Sequence, residues 1–591
     1  GPAGLVLSVL LARLGLRDPD AILCVEPRPS PLPCGRADGL VCRTLETFHE
    51  LGIYEEVMEI GLQVAETVAW AELPGAERIQ RTARHSSSLH MPPSRVPHVA
   101  SCPQGQIERA LARELTRYMP SALERGSQVI DVQLDAEGDA ARPVRVTLRD
   151  AAGQDRVVRC RFLVGADGAH STVRRRVGIA MLGDPSDSAW GVIDFVPDTD
   201  YPDIRRLGSV HTSRGSVLHF PRERNVDGDW LCRFYVDMNE LDDDRDEEER
   251  EIKSPTHPRA RVTPERILER MAHIFAPYRM RLKPGTQVEW ASTYEVGRRV
   301  ASQFAIADAQ GLPRVFLVGD ACHTHSPKVG QGMNVSIADS YNLAWKLAHV
   351  LRGISREPKA LLDSYVGERH AVAQQLLDMD ERWFRFEYAT KHAGHQDDYS
   401  QGRAELLSRI TGFVSGYGIE YDDGYLTHPT TKDGAVRPGR RLQHAALERF
   451  ADNLTCDLHD ELIPDGRWKV LLFASVDLQQ PGGRSAKALQ ALYEDVLPAF
   501  VPGVLLGITI CPGIPMRDVD WTALPAGVKR EAEMKTFIAS QATYEQCGLS
   551  VEGGAVILMR PDGVVGMLAD LEEVFETGNL ASMLETVIKT V

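Results

Sequence analysis

Apolar residues along the chain fall into two alternating patterns, short continuous runs and stripes at helical spacing, which predicts an α/β protein. Val315, Phe316, Leu317 and Val318 form one such run, as a buried parallel strand does. Ile337, Tyr341, Ala344, Leu347 and Leu351 then keep helical spacing, predicting an amphipathic helix from 335 to about 351. A turn rich in glycine joins the two. The same strand, turn and helix order recurs at 162–174, where Phe162, Leu163 and Val164 lead into Gly165-Ala166-Asp167-Gly168. Leu5, Val9 and Ala12 predict a helix, followed by a short strand at 23–26. Leu40, Leu45 and Phe48 predict another helix, with Asp38 near its N-terminus. Ile107, Leu111 and Leu115 predict a third.

The period changes between about 182 and 290. Short apolar and aromatic runs at 189–193, 215–220 and 230–236 read as strands of a separate sheet. A charge-dense stretch at 242–251 reads as an exposed loop or helix end. A helix is predicted at 361–388, then a polar connecting stretch. From Arg437 a new unit begins, with strands at 468–474, 505–510 and 555–559 and a helix near 486–496. The resulting division is 1–181, 182–290, 291–390, 391–435 and 436–591.

Composition narrows the class without choosing a function. The 591 residues suffice for about three domains. A formal charge of -16 argues against a nucleic-acid partner, because phosphate binding needs a basic face. The ten cysteines form no Cys-x-x-Cys pair or metal-ligand cluster, so they read as thiols of a reducing, cytoplasmic compartment. No apolar run reaches membrane-spanning length, and no membrane association is expected.

Candidate chemistry concentrates at the strand ends. Asp320 follows the run at 315–318, where open α/β sheets bind ligands. An acceptor-only carboxylate there suits a hydroxyl-rich chain, such as a sugar or a ribityl group. Gly330 and Gly332 allow close approach of a flat or anionic group, and the helix start behind them offers free N–H donors. Gly1 and Gly4 match the second and third glycines of Gly-x-Gly-x-x-Gly, with Glu26 placed to bind an adenosine ribose. Asp38 can be read as a helix cap or as a base. His323 and His325 lack a third ligand, so no metal is expected. Arg174 to Arg176 read either as a phosphate contact or as a solvated basic face.

Taken together, these motifs resemble the single-component FAD-dependent aromatic hydroxylases, in the branch of phenol 2-monooxygenase and 3-hydroxybenzoate 4-monooxygenase. The resemblance rests on Ala37-Asp38-Gly39-Leu40-Val41-Cys42-Arg43-Thr44, on Asp167-Gly168, on Tyr294 to Arg299, and on Gly319-Asp320 through Pro327, Gly330, Gly332, Met333 and Asn334. It implies a Rossmann-like FAD-binding domain with an inserted β-sheet substrate domain and a thioredoxin-like C-terminal domain. It implies that Asp320 holds the ribityl chain and that Pro327 with Gly330 to Asn334 lies along the flavin ring. Arg43, Gln104 and Asp167 would contact FAD as well. It further implies that Asp38 and Tyr294 act on a small phenolic substrate. FAD would be reduced by NADPH and would react with O2 to a C4a-hydroperoxide that hydroxylates the ring. His98 aligns with a family histidine near the cavity, and is equally readable as a core residue. A homodimer is implied too. Two other readings stay open: a tailoring monooxygenase acting on a larger polyketide-like phenol, and a non-enzymatic flavin-binding interaction protein.

Overall fold

The computed structural model describes residues 1–34, 36–73, 78–86, 94–135, 138–183, 189–238, 262–295, 297–326, 330–393, 410–430, 434–480, 482–513 and 521–591. The charge-dense stretch at 242–251 and Pro327 lie outside these residues.

Strand Leu163–Gly165 runs parallel to Pro313–Leu317, with Gly165 opposite Leu317. Both strands therefore end at one edge, and their acids, Asp167 and Asp320, follow at that edge. Val315, Phe316, Leu317 and Val318 are almost wholly buried, as their unbroken apolar run requires. Helix Pro2–Arg13 is buried along most of its length and packs between helices Gln104–Tyr118 and Gly332–Leu351. Strand Cys24–Glu26 pairs in parallel with Leu123–Arg125.

A seven-stranded sheet forms the second layer. Its order is Trp290–Glu295, Ala189–Phe195, Trp230–Asp237, Gly215–Arg224, Leu207–Thr212, Glu66–Glu72 and Ile79–Ser86. The last two strands come from before residue 182, and the first reaches past 290. The sheet is thus wider in sequence than the 182–290 stretch that the change of period marks. Alternation along the strands gives it two faces. Ile193, Phe195, Phe234 and Val236 pack under helix Pro264–Phe275. Trp190, Val192 and Tyr235 form a separate cluster with Phe220, Trp290 and Tyr294.

The segment 39–48 differs from its expected single helix. Gly39–Leu40 is a strand paired with Val99–Ser101, and the helix is Cys42–Leu51, capped by Val41 without a side-chain bond. Asp38 is therefore not a helix cap. Strand pairing wins there because Ala37 and Asp38 are zipped to the next segment: Gln104 N–H donates to Ala37 O and Cys102 N–H to Asp38 O.

The C-terminal unit is a second seven-stranded sheet. Its centre holds Leu505–Pro512 and Trp468–Phe473 in parallel, flanked on one side by the antiparallel strands Ala555–Met559 and Val565–Ala569. The unit docks on the first through buried arginines. Arg560 is fully buried and reaches Glu368 at 2.6 Å, and Arg441 reaches Glu50 at 2.8 Å.

Candidate active site

The turn after strand Pro313–Leu317 needs glycine at 319. Its φ is +61°, and a Cβ there would lie 2.7 Å from Ser336 Oγ. The turn sets Asp320, an exposed residue, at the strand end. Arg174 does not reach outward. It donates to Ala321 O at 2.8 Å and to Ala169 O at 2.9 Å, tying the two acid-bearing turns together. Asp167 accepts from Thr172 N–H at 2.7 Å and Val173 N–H at 3.0 Å, so its carboxylate caps helix Thr172–Arg176.

Helix Gly332–Leu351 starts without a side-chain cap. Gly330 holds φ +63° with open space where a side chain would stand. Met333 and Asn334 are buried. Asn334 accepts from Val41 N–H at 3.2 Å and donates to Gly39 O at 3.1 Å and Gly330 O at 2.8 Å. It therefore ties the helix start to the strand that carries Asp38.

A second cluster lies at the N-terminal end. Gly4 packs so closely that an added Cβ would sit 3.3 Å from Ala166 Cβ. Gly1 stands at the N-cap of helix Pro2–Arg13, close to Glu108, and Arg28 donates to Glu26 at 2.9 Å and to Glu108 at 3.1 Å. Burial pushes the Glu26 carboxyl up, but Arg28 outweighs it and holds it below its ordinary value. Gln104 bridges the cluster to Ala37, accepting from its N–H at 3.3 Å and donating to Glu108 at 2.8 Å. Arg43 belongs to neither group. Its guanidinium stacks 4.8 Å from the Tyr341 ring centre and pairs with Glu50 at 3.3 Å.

Asp38 is 3% exposed. Its Oδ2 lies 3.5 Å from Arg222 and 3.4 Å from Arg233, in ion-pair range, yet has no hydrogen-bond partner. Tyr235 O–H approaches its Oδ1 at 3.5 Å. Arg233 and Arg222 also hold Asp194, at 2.7 and 3.1 Å. Tyr294 O–H donates to Arg36 O at 3.3 Å, and Arg233 donates to the same carbonyl at 3.1 Å. Burial raises the Tyr294 hydroxyl to about 12 against the pull of Arg233 and Arg36. Arg233 also lies over the Trp290 ring at 4.9 Å.

Asp38 and Tyr294, paired in the sequence reading, thus meet at one arginine-lined patch beside the aromatic face of the sheet. Asp194, Arg222 and Tyr235 join them unforeseen. Their signal was parity: Trp190, Val192 and Asp194 share one face, as do Arg233 and Tyr235, and a charged residue at core-facing parity needs a partner. Arg222 and Arg233 line this patch. Arg205 donates to Leu231 O and Arg222 O, and Arg279 pairs with Asp198. His98 sits 3.4 Å from Tyr54 O–H, and burial lowers its pKa. His323 and His325 part company: one donates to Asp339, the other bonds Ser326 O.

Comparison with known proteins adds two family models. Residues 1–380 match an FAD binding domain, and residues 419–589 match the phenol hydroxylase C-terminal dimerisation domain. The chain is 51% identical to the flavin-dependent oxygenase ucdD of Aspergillus ustus, covering 100% of this chain and 91% of that one. It is 34% identical to 3-hydroxybenzoate 4-monooxygenase of Comamonas testosteroni, covering 97% and 91%. Phenol 2-monooxygenase fsqG of Aspergillus fumigatus is 31% identical, covering 100% and 96%. Among solved structures, aklavinone-11 hydroxylase with FAD and aklavinone aligns with a TM-score of 0.69 at 23% identity, covering 100% and 97%, a likeness of fold.

Proposed function

The chain belongs to the FAD-dependent aromatic monooxygenases, and from that premise we propose that it hydroxylates a phenolic ring at the patch around Asp38. The observation that carries this is Asp38 Oδ2, buried and without a hydrogen-bond partner between two arginines. A buried carboxylate oxygen without a hydrogen bond is costly even beside two arginines, and a phenolic O–H is a donor that would complete it.

The residues present fit FAD. Gly4 against Ala166, Gly319 at φ +61° and Gly330 at φ +63° are close-approach or left-handed positions, and helix Gly332–Leu351 begins with uncapped N–H groups. Glu26 would hold the adenosine end and Asp320 the ribityl chain, with Gly332 to Asn334 along the ring. Pro327 is proposed beside them on the sequence motif alone. Bound FAD would supply the oxygen-transfer chemistry, with NADPH and O2 as co-substrates. Asp38 accepts the phenolic proton, so the ring becomes more nucleophilic. Tyr235 and Tyr294 hold the hydroxyl and its neighbours in place. Trp190, Phe220 and Trp290 keep water from the reacting face.

Arg43 is better read as support than as an FAD contact, because its charge is already matched by Glu50. Gln104 and Asp167 act at one remove in the same way, holding Ala37 and the helix start. A multi-ring phenol is the second reading. It is favoured by the breadth of the aromatic wall, which spans Trp190, Phe220, Tyr235, Trp290 and Tyr294.

The C-terminal unit reads as thioredoxin-like, with a parallel central pair and an antiparallel pair beside it. It has no Cys-x-x-Cys, and we assign it to homodimer formation. All ten cysteines are free, which supports a cytoplasmic setting. No helix among the described residues is long and apolar enough to cross a membrane.

The test is NADPH consumption and product analysis across simple phenols, hydroxybenzoates and multi-ring phenols. The reading requires at least one that accelerates NADPH oxidation and returns a hydroxylated product. If no phenol does so, the proposal is wrong.

A further inference from the structure

Asp339 lies in helix Gly332–Leu351, two turns beyond its start, and is fully buried. Its Oδ2 accepts from Gly319 N–H at 2.9 Å and from His323 Nε2 at 2.9 Å. Its Oδ1 accepts from Arg369 Nε at 2.7 Å. Gly319 and His323 bracket Asp320. One carboxylate therefore fixes the backbone just before Asp320 and the side chain three residues after it. The Gly319 N–H lies in the left-handed turn at φ +61°.

Arg369 carries this restraint outward. Its Nη1 donates to Tyr421 O–H at 3.1 Å. Tyr421 is anchored by its N–H to Gly439 O at 3.0 Å, and Arg560 of the C-terminal unit lies over its ring at 5.2 Å. Asp339, Arg369 and Tyr421 are all buried. Burial alone would push the Asp339 carboxyl up, but Arg369 first and His323 second hold it below its ordinary value. Cys322, His323 and Asp339 stand close enough to suggest a metal. The pairing with Arg369 and the Gly319 N–H already uses both carboxylate oxygens, and burial keeps the Cys322 thiol protonated.

We propose that Asp339 is a positioning residue for the FAD turn, and that through Arg369 and Tyr421 it makes retention of FAD depend on the segment leading into the C-terminal unit. This rests on the reading of Asp320 as an FAD contact. Asp339 touches no reacting atom. It sets where Asp320 stands. Tyr421 is further removed: its hydroxyl accepts from Arg369 at 3.1 Å and from Asn342, on the same helix as Asp339, at 3.4 Å.

The test strips FAD from the holoenzyme and titrates it back, following quenching of flavin fluorescence. Asp339→Asn keeps the shape but replaces one acceptor oxygen by a donor, so it sets N–H against either Arg369 or the turn. It is expected to weaken FAD binding about tenfold or more, the scale of a lost hydrogen bond to a charged group. Tyr421→Phe removes the hydroxyl that accepts from Arg369 and is expected to weaken FAD roughly threefold to tenfold. A purely structural role would lower the melting temperature of apo and FAD-loaded protein equally and leave FAD affinity unchanged. That result for Asp339→Asn overturns the proposal. The same result for Tyr421→Phe overturns the link to the C-terminal unit, and decides the matter if Asp339→Asn does not fold. Asp320→Ala is titrated alongside. If it binds FAD like the parent, the reading of the FAD site has failed. If it loses FAD while the other two do not, only the positioning role has failed.

Discussion

Arg441 of the C-terminal unit stands 2.8 Å from Glu50, on the helix that follows Asp38, and 3.5 Å from Glu46. Glu50 also accepts from Tyr341 O–H at 2.6 Å, on the helix that begins at Gly332. One arginine from a distant part of the chain thus supplies the counter-charge where the substrate side and the cofactor side join. Arg43, Glu46 and Glu50 are each buried or nearly so, so the cluster persists only as a matched set.

Arg441→Met is expected to destabilise the protein by about 3 kcal/mol or more, because it leaves two buried carboxylates sharing a single arginine, Arg43. Arg441→Met with Glu50→Gln should recover much of that loss. Urea unfolding of the parent, the two single variants and the double variant gives the coupling. Additive losses would show that the pair is not a unit.

Acid should loosen the Glu368–Arg560 contact, which docks the C-terminal unit. Burial pushes Glu368 up, but Arg560 and Lys346 outweigh it and bring it from 4.5 to about 2. A carboxyl lowered in the folded state contributes its stability above its unfolded pKa and loses it as pH falls through the folded one. Between about pH 4.5 and pH 2 the Glu368 contribution, of order 3 kcal/mol, should disappear. Melting temperatures from pH 7 down to pH 3 should fall less steeply in Glu368→Gln than in the parent. Parallel slopes would remove Glu368 as a cause.

Asp38→Ala should retain FAD, since Asp38 lies among Arg222, Arg233 and Tyr235 and not in the Gly319 to Asn334 turn. Hydroxylated product per NADPH consumed should fall by roughly a hundredfold, the range of a lost general base. Product yield equal to the parent's would exclude Asp38 from the reaction. Arg222 and Arg233 complicate the variant, because it removes one of the carboxylates that match their charges and leaves Asp194 and Glu223. Asp38→Asn, which keeps the volume, separates lost packing from lost chemistry.

Tyr235 and Tyr294 should differ in what they control. Tyr235 O–H approaches Asp38 itself, whereas Tyr294 O–H is bound to Arg36 O. Tyr235→Phe is expected to lower kcat by about tenfold, and Tyr294→Phe to raise KM with a smaller change in kcat. Equal effects on both constants in both variants would show that the two hydroxyls act as one unit.

Most of the cofactor side was legible in the chain because its chemistry is local. Gly319-Asp320 and Asp167-Gly168 each sit directly behind an apolar run, and strand, turn and helix follow within about fifteen residues. The substrate side was legible only at its anchors. Asp38 and Tyr294 stood out in motifs, but Asp194, Arg222 and Tyr235 meet them through pairing across strands that lie tens of residues apart. The inward parity of those strands marked them as a set, yet no run of sequence shows that Trp190 faces Tyr294 or that Asp194 faces Arg233. Strands 66–72 and 79–86, which pair with each other as a hairpin, were missed as well; only 66–72 pairs onward, with 207–212, more than a hundred residues on. Asp38 at the end of a strand, and not at a helix start, was settled by two backbone bonds to residues 102 and 104.

Gly319→Ala is the sharpest test of the turn. A Cβ at 319 meets Ser336 Oγ at 2.7 Å and Ser336 Cβ at 2.8 Å, and the residue holds φ +61°. Shortening Ser336 to alanine removes the first clash and leaves the second. The backbone strain, about 1 kcal/mol for a non-glycine residue in this region, remains as well. The turn must therefore shift, and it can do so only by breaking the Gly319 N–H bond to Asp339 or by moving Asp320. Gly319→Ala should fold, because strand Pro313–Leu317 is buried ahead of it and helix Gly332–Leu351 after it. It should be isolated largely without FAD, and Gly319→Ala with Ser336→Ala should recover only part of the affinity. Full FAD content in Gly319→Ala would mean that the cofactor does not depend on this turn.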